Sequence, residues 1–559
     1  MYLNRRLNTA IRLLRSRKFK IFFRKVFLFP VLYLKKKKQR ISYKKWRQIW
    51  VELSPEEKVR VTESLESLSH RPSFTVLLSA DEKDSSALFS TIKSVASQLY
   101  PNWVLHVTSQ GALELPFSEK VLALDDSRIR LTGPTPTALG GWVVELASGV
   151  LLHEAALYHF AFSIVENPEI AIVYSDHDHV AVSGAFRDPH MKPDWNPDLF
   201  AAMNYLEPLV ACKKEPWETL RDKAPGQYEF LLESTKTLPR KTIFHIPRVL
   251  ASVQISDNSD HLEPTCERII YDIPSPAPKV SILIPTRDQG SLLKKCLESL
   301  YEKTDYKDFE IVLVDHETIE QKALEVIENF RVKSNFKVLN FSGSFNFSAT
   351  MNRAAEIADG QILILLNNDT EVFDPSWLGE LVSQVSRPEV GVAGALLLFG
   401  DKTIQHAGVH PGLNGLMGHG HKHLPSDDSG YFSRLKTVHE VAAVTGACLA
   451  IEKKIWVDVG GLDEELLPVA YNDIDLCLKV REKNLRVIFS PYAKLFHHES
   501  VSRGVDEPVE NNKRLQDEIR IMKERWGDLL FHDPAYSPNL SKEDGSFKLS
   551  NNPVSLKTC

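Results

Sequence analysis

The stretch QILILLNNDTEVFD, residues 361–374, decides the fold class. Its aliphatic run, Ile362 to Leu366, is typical of a strand that is buried on both faces, as in a parallel sheet. Asn367, Asn368 and Asp369 follow this strand without a spacer. Ligands of open parallel sheets bind beyond the carboxyl ends of the strands, so these three side chains are candidates for a binding site.

Short apolar runs alternate with amphipathic stretches around this strand, which predicts an α/β fold with mostly parallel sheets. The alternation occurs in two series that are separated by the proline-rich stretch IPSPAP at 273–278. Strand, helix and strand recur in the same order in each series, which indicates two copies of one fold. The predicted strands are 74–79, 102–108, 170–176, 279–286, 309–315 and 362–366, and the predicted helices are 86–99, 291–304 and 346–358.

The first 50 residues carry 17 Lys and Arg and no Asp or Glu, whereas the whole chain has a net charge of −5. Their longest apolar run, Val26 to Leu34, contains Pro30 and is far shorter than the ~20 residues that span a bilayer. Aliphatic and aromatic residues alternate with the basic ones, which favours a segment that lies on an anionic membrane surface. A solvated arm, or one that binds nucleic acid, is the alternative. We expect membrane contact through residues 1–45 and no nucleic-acid partner.

The six cysteines are scattered and form no C-x-x-C pair. This spacing argues against a disulfide framework or a zinc site and is typical of a reducing compartment. Together with the basic segment, it predicts a cytoplasmic protein that is peripheral at the inner face of the plasma membrane.

Polar residues end three strands of the second series. They are Pro285-Thr286-Arg287-Asp288, Asp315 and Asn367-Asn368-Asp369. No G-x-G-x-x-G or G-x-x-x-x-G-K-[ST] follows these strands, which disfavours a dinucleotide dehydrogenase and a P-loop NTPase. Asp369, with Asn368 and Glu371 nearby, suits a hard divalent cation that shares its oxygen ligands with substrate phosphates. An ordinary turn is an open alternative, since Asn and Asp are common in turns.

The segment 470–504 offers an acid and two histidines. Asp473 stands at the start of a predicted helix, where the positive end of the helix dipole favours the ionised carboxylate that a general base requires. His497 and His498 follow a predicted strand, and one of them is a candidate metal ligand. The alternatives are an ordinary helix cap and a polar strand end.

The stretch HAGVHPGLNGLMGHGHKH, residues 406–423, contains five histidines and five glycines. Histidines in such density suggest a transition-metal site. Because no carboxylate or cysteine joins them in the sequence, we favour a flexible loop over the active site.

These segments together resemble the family 2 glycosyltransferases of the GT-A fold, and among them the rhamnosyltransferase-like enzymes of bacterial O-antigen, rhamnan and capsule synthesis. The resemblance covers about 279–505. Its motifs are VSILIPTRD, FEIVLVD, FNFSATMNRAAE, ILLNNDTEV, QHAGVHPGLNGLMGHGHK, VTGACLAI, VGGLDEE, YNDIDLCLKVRE and HHESVSRG. Asn367-Asn368-Asp369 departs from the more acidic D-x-D form of the family, which implies weaker metal binding without the nucleotide.

The resemblance implies an inverting transfer of a sugar from a nucleoside-diphosphate donor to a growing cell-surface polysaccharide or a lipid-linked glycan, with Mn²⁺ or Mg²⁺ as cofactor. dTDP-rhamnose is the favoured donor and a UDP-sugar is the alternative. The implied residues are Pro285, Thr286, Asp288, Asp315, Asn352 and Asn368 for the nucleotide sugar; Asp369 and His497 for the metal, with His498 less favoured; Asp473 as the catalytic base; and Thr445, Gly446 and Ala447 at the acceptor.

Residues 73–270 resemble the amino-terminal companion domain of the same enzymes, through IVYSDHDHVAVSGAFRDPHMKPDWNPDLF and FHIPRVL. Leu146-Ala147-Ser148-Gly149 stand where a working copy would have acids, so we expect this copy to hold no metal and to be structural or to bind acceptor glycan. A second, metal-independent transferase that uses Asp176 and Asp178 is the alternative.

The expected organisation has six parts. They are a basic membrane-surface segment (1–50), a helical connector (51–72), a degenerate GT-A-like domain (73–270), a Pro-rich linker (271–278), a catalytic GT-A domain (279–510) and a C-terminal helix with a loose tail (511–559). Two other functions stay open as alternatives. One is a non-catalytic glycan-binding or scaffold protein, and the other, a nucleotidyltransferase, is disfavoured because IPTRDQGS lacks a basic Gly-rich phosphate loop.

Overall fold

The computed structural model describes residues 41–79, 85–108, 121–132, 139–221, 223–224, 226–257, 264–498 and 512–553. Residues 1–40 of the predicted membrane-surface segment lie outside the described residues. Glu499 and the rest of the HHESVSRG motif also lie outside them.

Nine strands of the described residues form the first sheet, in the order β3-β2-β1-β4-β8-β6-β9-β5, with β7 paired to β6. They are β1 (Phe74–Ser79), β2 (Trp103–Thr108), β3 (Ile129–Thr132), β4 (Trp142–Leu146), β5 (Val150–Leu152), β6 (Ile172–Ala181), β7 (Phe186–His190), β8 (Val210–Lys213) and β9 (Ile243–Ile255).

Ten strands of the described residues form the second sheet, in the order β12-β11-β10-β13-β20-β15-β21-β14, with β16 on β15 and β19 on β21. They are β10 (Val280–Thr286), β11 (Phe309–Asp315), β12 (Phe336–Asn340), β13 (Ile362–Leu366), β14 (Thr370–Val372), β15 (Val390–Leu398), β16 (Ile404–His406), β19 (His439–Glu440), β20 (Cys448–Glu452) and β21 (Arg486–His497). A separate hairpin consists of β17 (Val409–Pro411) and β18 (Met417–His419).

The two sheets have the same strand order when β1 is matched to β10, β4 to β13, β5 to β14 and β9 to β21. This correspondence confirms that the sheets repeat one α/β fold. The expectation of mostly parallel sheets was wrong in one respect, because both sheets are mixed. β20 runs antiparallel to its neighbours β13 and β15, and β8 is antiparallel to β4 and β6. The direction of a strand depends on the connection through which the chain re-enters the sheet. An apolar run of five residues does not indicate that direction.

Helices flank both sheets. They are α1 (Tyr43–Trp50), α2 (Pro55–Ser64), α3 (Ser85–Ala96), α4 (Ala156–Glu166), α5 (Pro197–Ala202), α6 (Lys214–Leu220), α7 (Gln227–Thr237), α8 (Gly290–Lys303), α9 (Gln321–Arg331), α10 (Phe347–Ile357), α11 (Trp377–Val385), α12 (Lys453–Asp458), α13 (Asn472–Glu482) and α14 (Lys513–Trp526). Short 3₁₀ segments lie at Leu65–Ser67, Arg240–Thr242, Leu413–Gly415, Tyr431–Lys436 and Gly527–Leu530. No helix of the described residues is long and apolar enough to cross a membrane.

The sequence explains the buried strand and the helix before it. All five residues of β13 are buried, and they sit between the parallel strand β10 and the antiparallel strand β20. Asn346 caps α10 by accepting a hydrogen bond from the N–H of Ala349, as expected for an Asn at this position. Met351 and Ala354 then face the core beneath the sheet.

Two segments that we expected outside the fold are packed into it. Trp46 of α1 is buried, and its Nε1 donates to the carbonyl of Ser550 in the carboxy-terminal segment. That segment buries Tyr536 and Phe547, so the prediction of a loose tail was wrong as far as residue 553. Residues 43–50 of the predicted surface segment form a helix that packs on the folded protein through Trp46 and leaves Lys44 and Lys45 exposed.

The two copies of the fold contact each other through buried charges. Asp198 of α5 forms ion pairs with Arg387 and Arg486, and all three side chains are almost fully buried. Removing one partner of such a group would leave an uncompensated buried charge, which is strongly destabilising. The copies therefore form a common structural unit.

The histidine-rich stretch forms ordered structure rather than a flexible loop, so that expectation was wrong. It supplies β16 and the β17–β18 hairpin, and His406, His410 and His421 are buried. His410 Nδ1 lies 2.7 Å from Oδ2 of Asp533, a carboxylate that comes from the carboxy-terminal segment.

Candidate functional site

The carboxyl ends of β10, β11 and β13 form the rim of the candidate site. Thr286 and Asp315 are register partners at the ends of β10 and β11. The side-chain amide of Asn368, two residues after β13, donates to Oγ1 of Thr286 at 2.9 Å. The structure therefore brings together the residues that the sequence predicted at the ends of the three strands.

Two rim carboxylates hold the loop that follows β11. Oδ1 of Asp288 accepts hydrogen bonds from the N–H groups of Ile319 and Glu320, each at 2.8 Å. These two donors hold the pKa of Asp288 below its usual value. Oδ1 of Asp315 accepts from the N–H of Thr318 at 3.0 Å. Both acids shape the wall of the rim, with Pro285 partly exposed beside them.

Asp369 and His497 meet at the next strand pair. β14 lies antiparallel to β21, and Thr370 is the register partner of His497. Asp369 is buried, and its Oδ1 lies 3.1 Å from Nε2 of His497. The short strand β14 thus fixes the carboxylate against the imidazole.

The second ring nitrogen of His497 has a partner of its own. Nδ1 of His497 lies 2.8 Å from Oε1 of Gln405, a buried residue of β16. An amide oxygen only accepts, so Nδ1 donates to Gln405, while Nε2 lies within 3.2 Å of the side-chain amide nitrogen of Asn367 as well as beside Asp369. Nε2 of His498 instead contacts Glu371, which also pairs with Lys303. Glu371 is thus engaged away from Asp369.

Asp369 and His497 are suited to hold a divalent cation together with a phosphorylated ligand. No cluster of three or more His, Cys, Asp or Glu that could hold a metal occurs among the described residues. One carboxylate and one imidazole leave most coordination positions to other oxygens. Mg²⁺ and similar ions commonly bind through one or two protein groups plus substrate phosphates and water.

Asp473 lies in the first turn of α13, where the sequence placed it. Its Oδ2 accepts from the N–H of Gly446 at 2.8 Å, and its Oδ1 accepts from the N–H of Ile474 at 2.9 Å. Burial raises the pKa of this carboxyl group, while these N–H donors and the hydroxyl of Thr445 oppose the rise. Residue 473 as a whole is partly exposed.

The segment Thr445–Ala447 connects the two halves of the site. The N–H of Asn367 donates to the carbonyl of Ala447 at 3.1 Å, on the side of Asp369. The N–H of Gly446 donates to Asp473 on the other side. The three residues predicted at the acceptor therefore lie between the candidate metal ligands and the candidate base.

Asn352 lies apart from this rim. Its side-chain amide donates to the carbonyl of Leu462 at 2.9 Å, and its oxygen accepts from the N–H of the same residue at 3.0 Å. The amide also contacts Glu464. These bonds give Asn352 the geometry of a residue that holds the 460–465 loop, rather than one that reaches the residues around Asp369.

The first copy lacks the corresponding ligands. The turn between β4 and β5 ends in Gly149, at the position that Asp369 occupies between β13 and β14. Val150 is the register partner of Val253, as Thr370 is of His497, so a valine replaces the histidine.

The two acids proposed for a metal-independent reaction in the first copy are unsuited to it. Asp176 and Asp178 are fully buried. Asp176 accepts from the N–H of Lys192 and lies 2.9 Å from Nε2 of His245, while Asp178 accepts from Tyr43 and Ser252. A substrate hydroxyl could reach neither carboxylate without breaking these contacts.

Sequence reasoning gave no role to Gln405, although this residue fixes His497. The sequence feature that could have identified Gln405 is its position directly before His406, at the start of the histidine-rich stretch.

Comparison with known proteins agrees with the rim geometry. Residues 281–432, which contain Thr286, Asp315 and Asp369, match the family model "Glycosyl transferase family 2". Residues 281–432 form a family 2 glycosyltransferase domain. Two candidate residues lie beyond this match. Asp473 is in helix α13, and His497 is at the end of strand β21 of the same sheet.

Two relatives match most of the chain. The chain is 34% identical over 551 residues to the uncharacterized protein y4gI of Sinorhizobium fredii (strain NBRC 101917 / NGR234). This alignment covers 88% of the chain and 60% of the relative. The chain is 31% identical over 504 residues to the O-antigen biosynthesis protein RfbC of Myxococcus xanthus, which covers 80% of this chain and 39% of the relative. The chain thus spans less than two thirds of the length of either relative.

Solved glycosyltransferase structures match more distantly. GalNAc-T7 with UDP, GalNAc and Mn²⁺ aligns with a TM-score of 0.37 and 19% identity, over 45% of this chain and 49% of that chain. The mannosyltransferase PcManGT from Pyrobaculum calidifontis, in complex with GDP-Man and Mn²⁺, aligns with a TM-score of 0.32 and 14% identity, over 45% and 73%.

Proposed function

We propose that the glycosyltransferase domain transfers a sugar from a nucleoside-diphosphate donor to a hydroxyl of a growing cell-surface polysaccharide or lipid-linked glycan. The family match of residues 281–432 and the naming of one relative as an O-antigen biosynthesis protein support this proposal. The observation that carries it is the placement of Asp369–His497 and Asp473 on either side of Thr445–Ala447. dTDP-rhamnose is the proposed donor, and a UDP-sugar is the alternative.

The nucleotide part of the donor lies along the rim formed by Thr286, Asp315 and Asn368. The Asn368–Thr286 hydrogen bond fixes the end of β13 relative to β10, and the 318–320 loop closes the adjacent wall. Asn352 acts as a positioning residue of the 460–465 loop. These contacts pre-form the site, which reduces the conformational freedom that is lost on binding.

Asp369 and His497 hold a divalent cation, Mn²⁺ or Mg²⁺, which when bound offsets the charge that develops on the leaving diphosphate. Asp369 supplies the carboxylate oxygen, and His497 supplies Nε2. Gln405 keeps His497 in the tautomer that leaves this nitrogen free of a proton.

Asp473 removes the proton from the acceptor hydroxyl as that oxygen attacks the anomeric carbon. A new carbon–oxygen bond forms on one face while the bond to the diphosphate breaks on the other, so the anomeric configuration inverts. The proton goes to Asp473, and the nucleoside diphosphate departs with the bonding electrons. General-base assistance of this kind contributes about 10²–10⁴-fold to a rate.

A donor screen tests the proposed function. The full chain is incubated with dTDP-rhamnose and with UDP-sugars, with and without Mn²⁺ or Mg²⁺, and the release of nucleoside diphosphate is measured. We expect release from one donor that depends on added cation. Binding of glycans without release from any donor would favour the scaffold alternative.

The contact between Gln405 and His497 predicts a specific effect on cation affinity. Replacing Gln405 with Leu removes the acceptor for Nδ1–H, and loss of such an orienting partner typically lowers metal affinity about 10–100-fold. Mn²⁺ titrations followed by electron paramagnetic resonance measure the change. Gln405→Glu, which restores an acceptor oxygen, should recover much of the affinity, whereas equal affinity of Gln405→Leu and the parent protein would contradict the positioning role.

The basic segment predicts membrane attachment, and the packing of α1 decides where to truncate it. We propose that residues 1–40 place the protein at the cytoplasmic face of the plasma membrane. Deleting 1–40 should move the protein from the membrane to the supernatant fraction after ultracentrifugation. Deletion of 1–45 is unsuited, because it removes Tyr43, which donates to the buried Asp178 at 2.6 Å. A 1–40 deletion that still pellets with membranes would refute the attachment.

A further inference from the structure

The turn that carries Asp473 contains a strained residue. Tyr471 directly precedes α13 and has left-handed backbone angles, with φ of 60° and ψ of 5°. A bulky residue rarely adopts this conformation, which persists only where the surrounding structure fixes it. Asp473 follows two residues later, in the first turn of the helix. Whatever fixes the turn at Tyr471 therefore also fixes the candidate base.

A buried carboxylate of α14 holds the residues directly before this turn. Oε1 of Glu518 accepts hydrogen bonds from the N–H groups of Val469 and Ala470, at 2.9 and 3.0 Å. Glu518 is 1% exposed, and its second oxygen pairs with Arg514 of the preceding helical turn. Hydrogen bonds to an ionised acceptor are stronger than those to a neutral one. Glu518 thus clamps the backbone that leads into Tyr471.

The carboxy-terminal end of α14 also contacts the residues after the turn. Arg525 donates to Oδ1 of Asp475 at 2.7 Å, and Nε1 of Trp526 donates to the same oxygen at 3.0 Å. Asp475 is fully buried and lies two residues after Asp473. The candidate base therefore lies, along the chain, between the Glu518 clamp and a second attachment point on α14.

We propose that Glu518 is a positioning residue, which supports the reaction by holding the Tyr471 turn and thereby Asp473. The inference rests on the proposed function, because Glu518 acts through the proposed base. The oxygens of Glu518 are engaged by two backbone N–H groups and by Arg514, so Glu518 itself takes no proton from the acceptor. A misplacement of about 1 Å at a reacting group can cost about 10²-fold in rate, so a relaxed turn should lower kcat.

Three substitutions separate the reach of the Glu518 side chain from its charge. Glu518→Gln keeps an oxygen that can accept both N–H groups and should retain kcat within about threefold. Glu518→Asp keeps the charge but is one methylene shorter, which withdraws the oxygens from the backbone, and should lower kcat about tenfold. Glu518→Leu removes the acceptor and should lower kcat about 10–100-fold, with KM for the donor changed less than about twofold.

The measurement is nucleoside diphosphate release by the full chain in the presence of acceptor, with thermal unfolding of each variant alongside. The donor rim at Thr286 and Asn368 lies on other elements, so KM for the donor should not follow kcat. Asp517→Asn is the matched control. Asp517 is the neighbouring, exposed acid of α14 and pairs with Arg520, so this variant should keep the parental kcat.

A double substitution distinguishes positioning from a general loss of folded protein. Because Glu518 acts through Asp473, adding Glu518→Leu to Asp473→Asn should lower the residual rate less than about twofold. A merely structural role would lower the residual rate by the same factor as in the parent protein. Glu518→Asp takes the place of Glu518→Leu in this comparison if the leucine variant does not fold.

Two outcomes would overturn the inference: a parental kcat in Glu518→Asp, or equal factors for the Glu518 substitution with and without Asp473→Asn. Asp473→Asn alone is measured in parallel. Release that Asp473→Asn abolishes and the Glu518 variants leave unchanged refutes the positioning role alone. Absent release by the parent protein with every donor refutes the proposed function, and the inference with it.

Discussion

Asp473→Asn should reduce sugar transfer by about 10²–10⁴-fold and leave donor binding nearly unchanged. The expected loss follows from the position of the carboxylate, which lies beside Gly446 at the proposed acceptor border and away from the rim that would hold the nucleotide. Nucleoside diphosphate release in the presence of acceptor measures the first quantity, and calorimetric titration with the donor measures the second.

A structural effect of the substitution must be separated from a chemical one. Both oxygens of Asp473 accept backbone N–H groups, from Gly446 and Ile474, and an asparagine can replace only one of these acceptors. Thermal unfolding of the variant therefore accompanies the kinetics. Asp458→Asn, which changes an exposed acid at the end of α12, is the matched control and should keep full activity. Unchanged turnover in Asp473→Asn would reject its assignment as the base.

The pH dependence of the reaction provides an independent readout. Burial raises the pKa of Asp473 above its usual value of 3.8. The base acts in its ionised form, so kcat/KM should rise as the pH rises through this elevated pKa and then level off. The acid limb of the profile should thus lie above pH 3.8 and should disappear in the residual activity of Asp473→Asn. A limb at or below the usual value would contradict the raised pKa.

The sequence was sufficient for those elements whose structure depends on local pattern. The run 362–366 is aliphatic throughout, and the strand has these bounds. Phe74–Ser79 and Phe309–Asp315 also form strands with the predicted bounds. Most positions of these strands are buried and apolar, with Thr75 and Glu310 as buried polar exceptions, so composition identifies the strands.

The packed carboxy-terminal segment could not be predicted, because its partners are distant in the chain. Asp533 meets His410 across 123 positions, and Ser550 accepts from Trp46 across 504. A segment rich in Pro, Asn and Ser resembles a loose tail until those partners are known. The same argument applies to the histidine-rich stretch, whose polar side chains find partners only in the folded protein.

The candidate site was predictable as a set of residues and not as a set of contacts. Asp369, Asp473 and His497 could be named from motifs, and the sheet register then places Asp369 beside His497. The contact between Gln405 and His497 joins residues 92 positions apart, so it could not be read from the motifs alone. Asn352 is the opposite case. Its motif suggested that it binds the nucleotide sugar, whereas in the structure its side chain hydrogen-bonds to the 460–465 loop.

Asp369→Ala should reduce donor turnover roughly a hundredfold to ten-thousandfold, the effect of losing several kcal/mol of charge stabilisation at the leaving group. Asp369 is the carboxylate that contacts His497, and among the described residues no third metal-ligating side chain completes a cluster there. The variant should therefore lose cation binding together with activity. Mn²⁺ titrations by electron paramagnetic resonance, with and without nucleoside diphosphate, measure this loss directly.

Glu371→Gln is the matched control for Asp369→Ala. Glu371 lies two positions away but pairs with Lys303 and His498, so its loss should change Mn²⁺ affinity only a few-fold. A site with one carboxylate and one imidazole also predicts that the parent protein binds Mn²⁺ weakly alone and more tightly with nucleoside diphosphate, because the phosphates complete the ligand set. Tight Mn²⁺ binding by Asp369→Ala, or affinity in the parent that is indifferent to the nucleotide, would place the cation elsewhere.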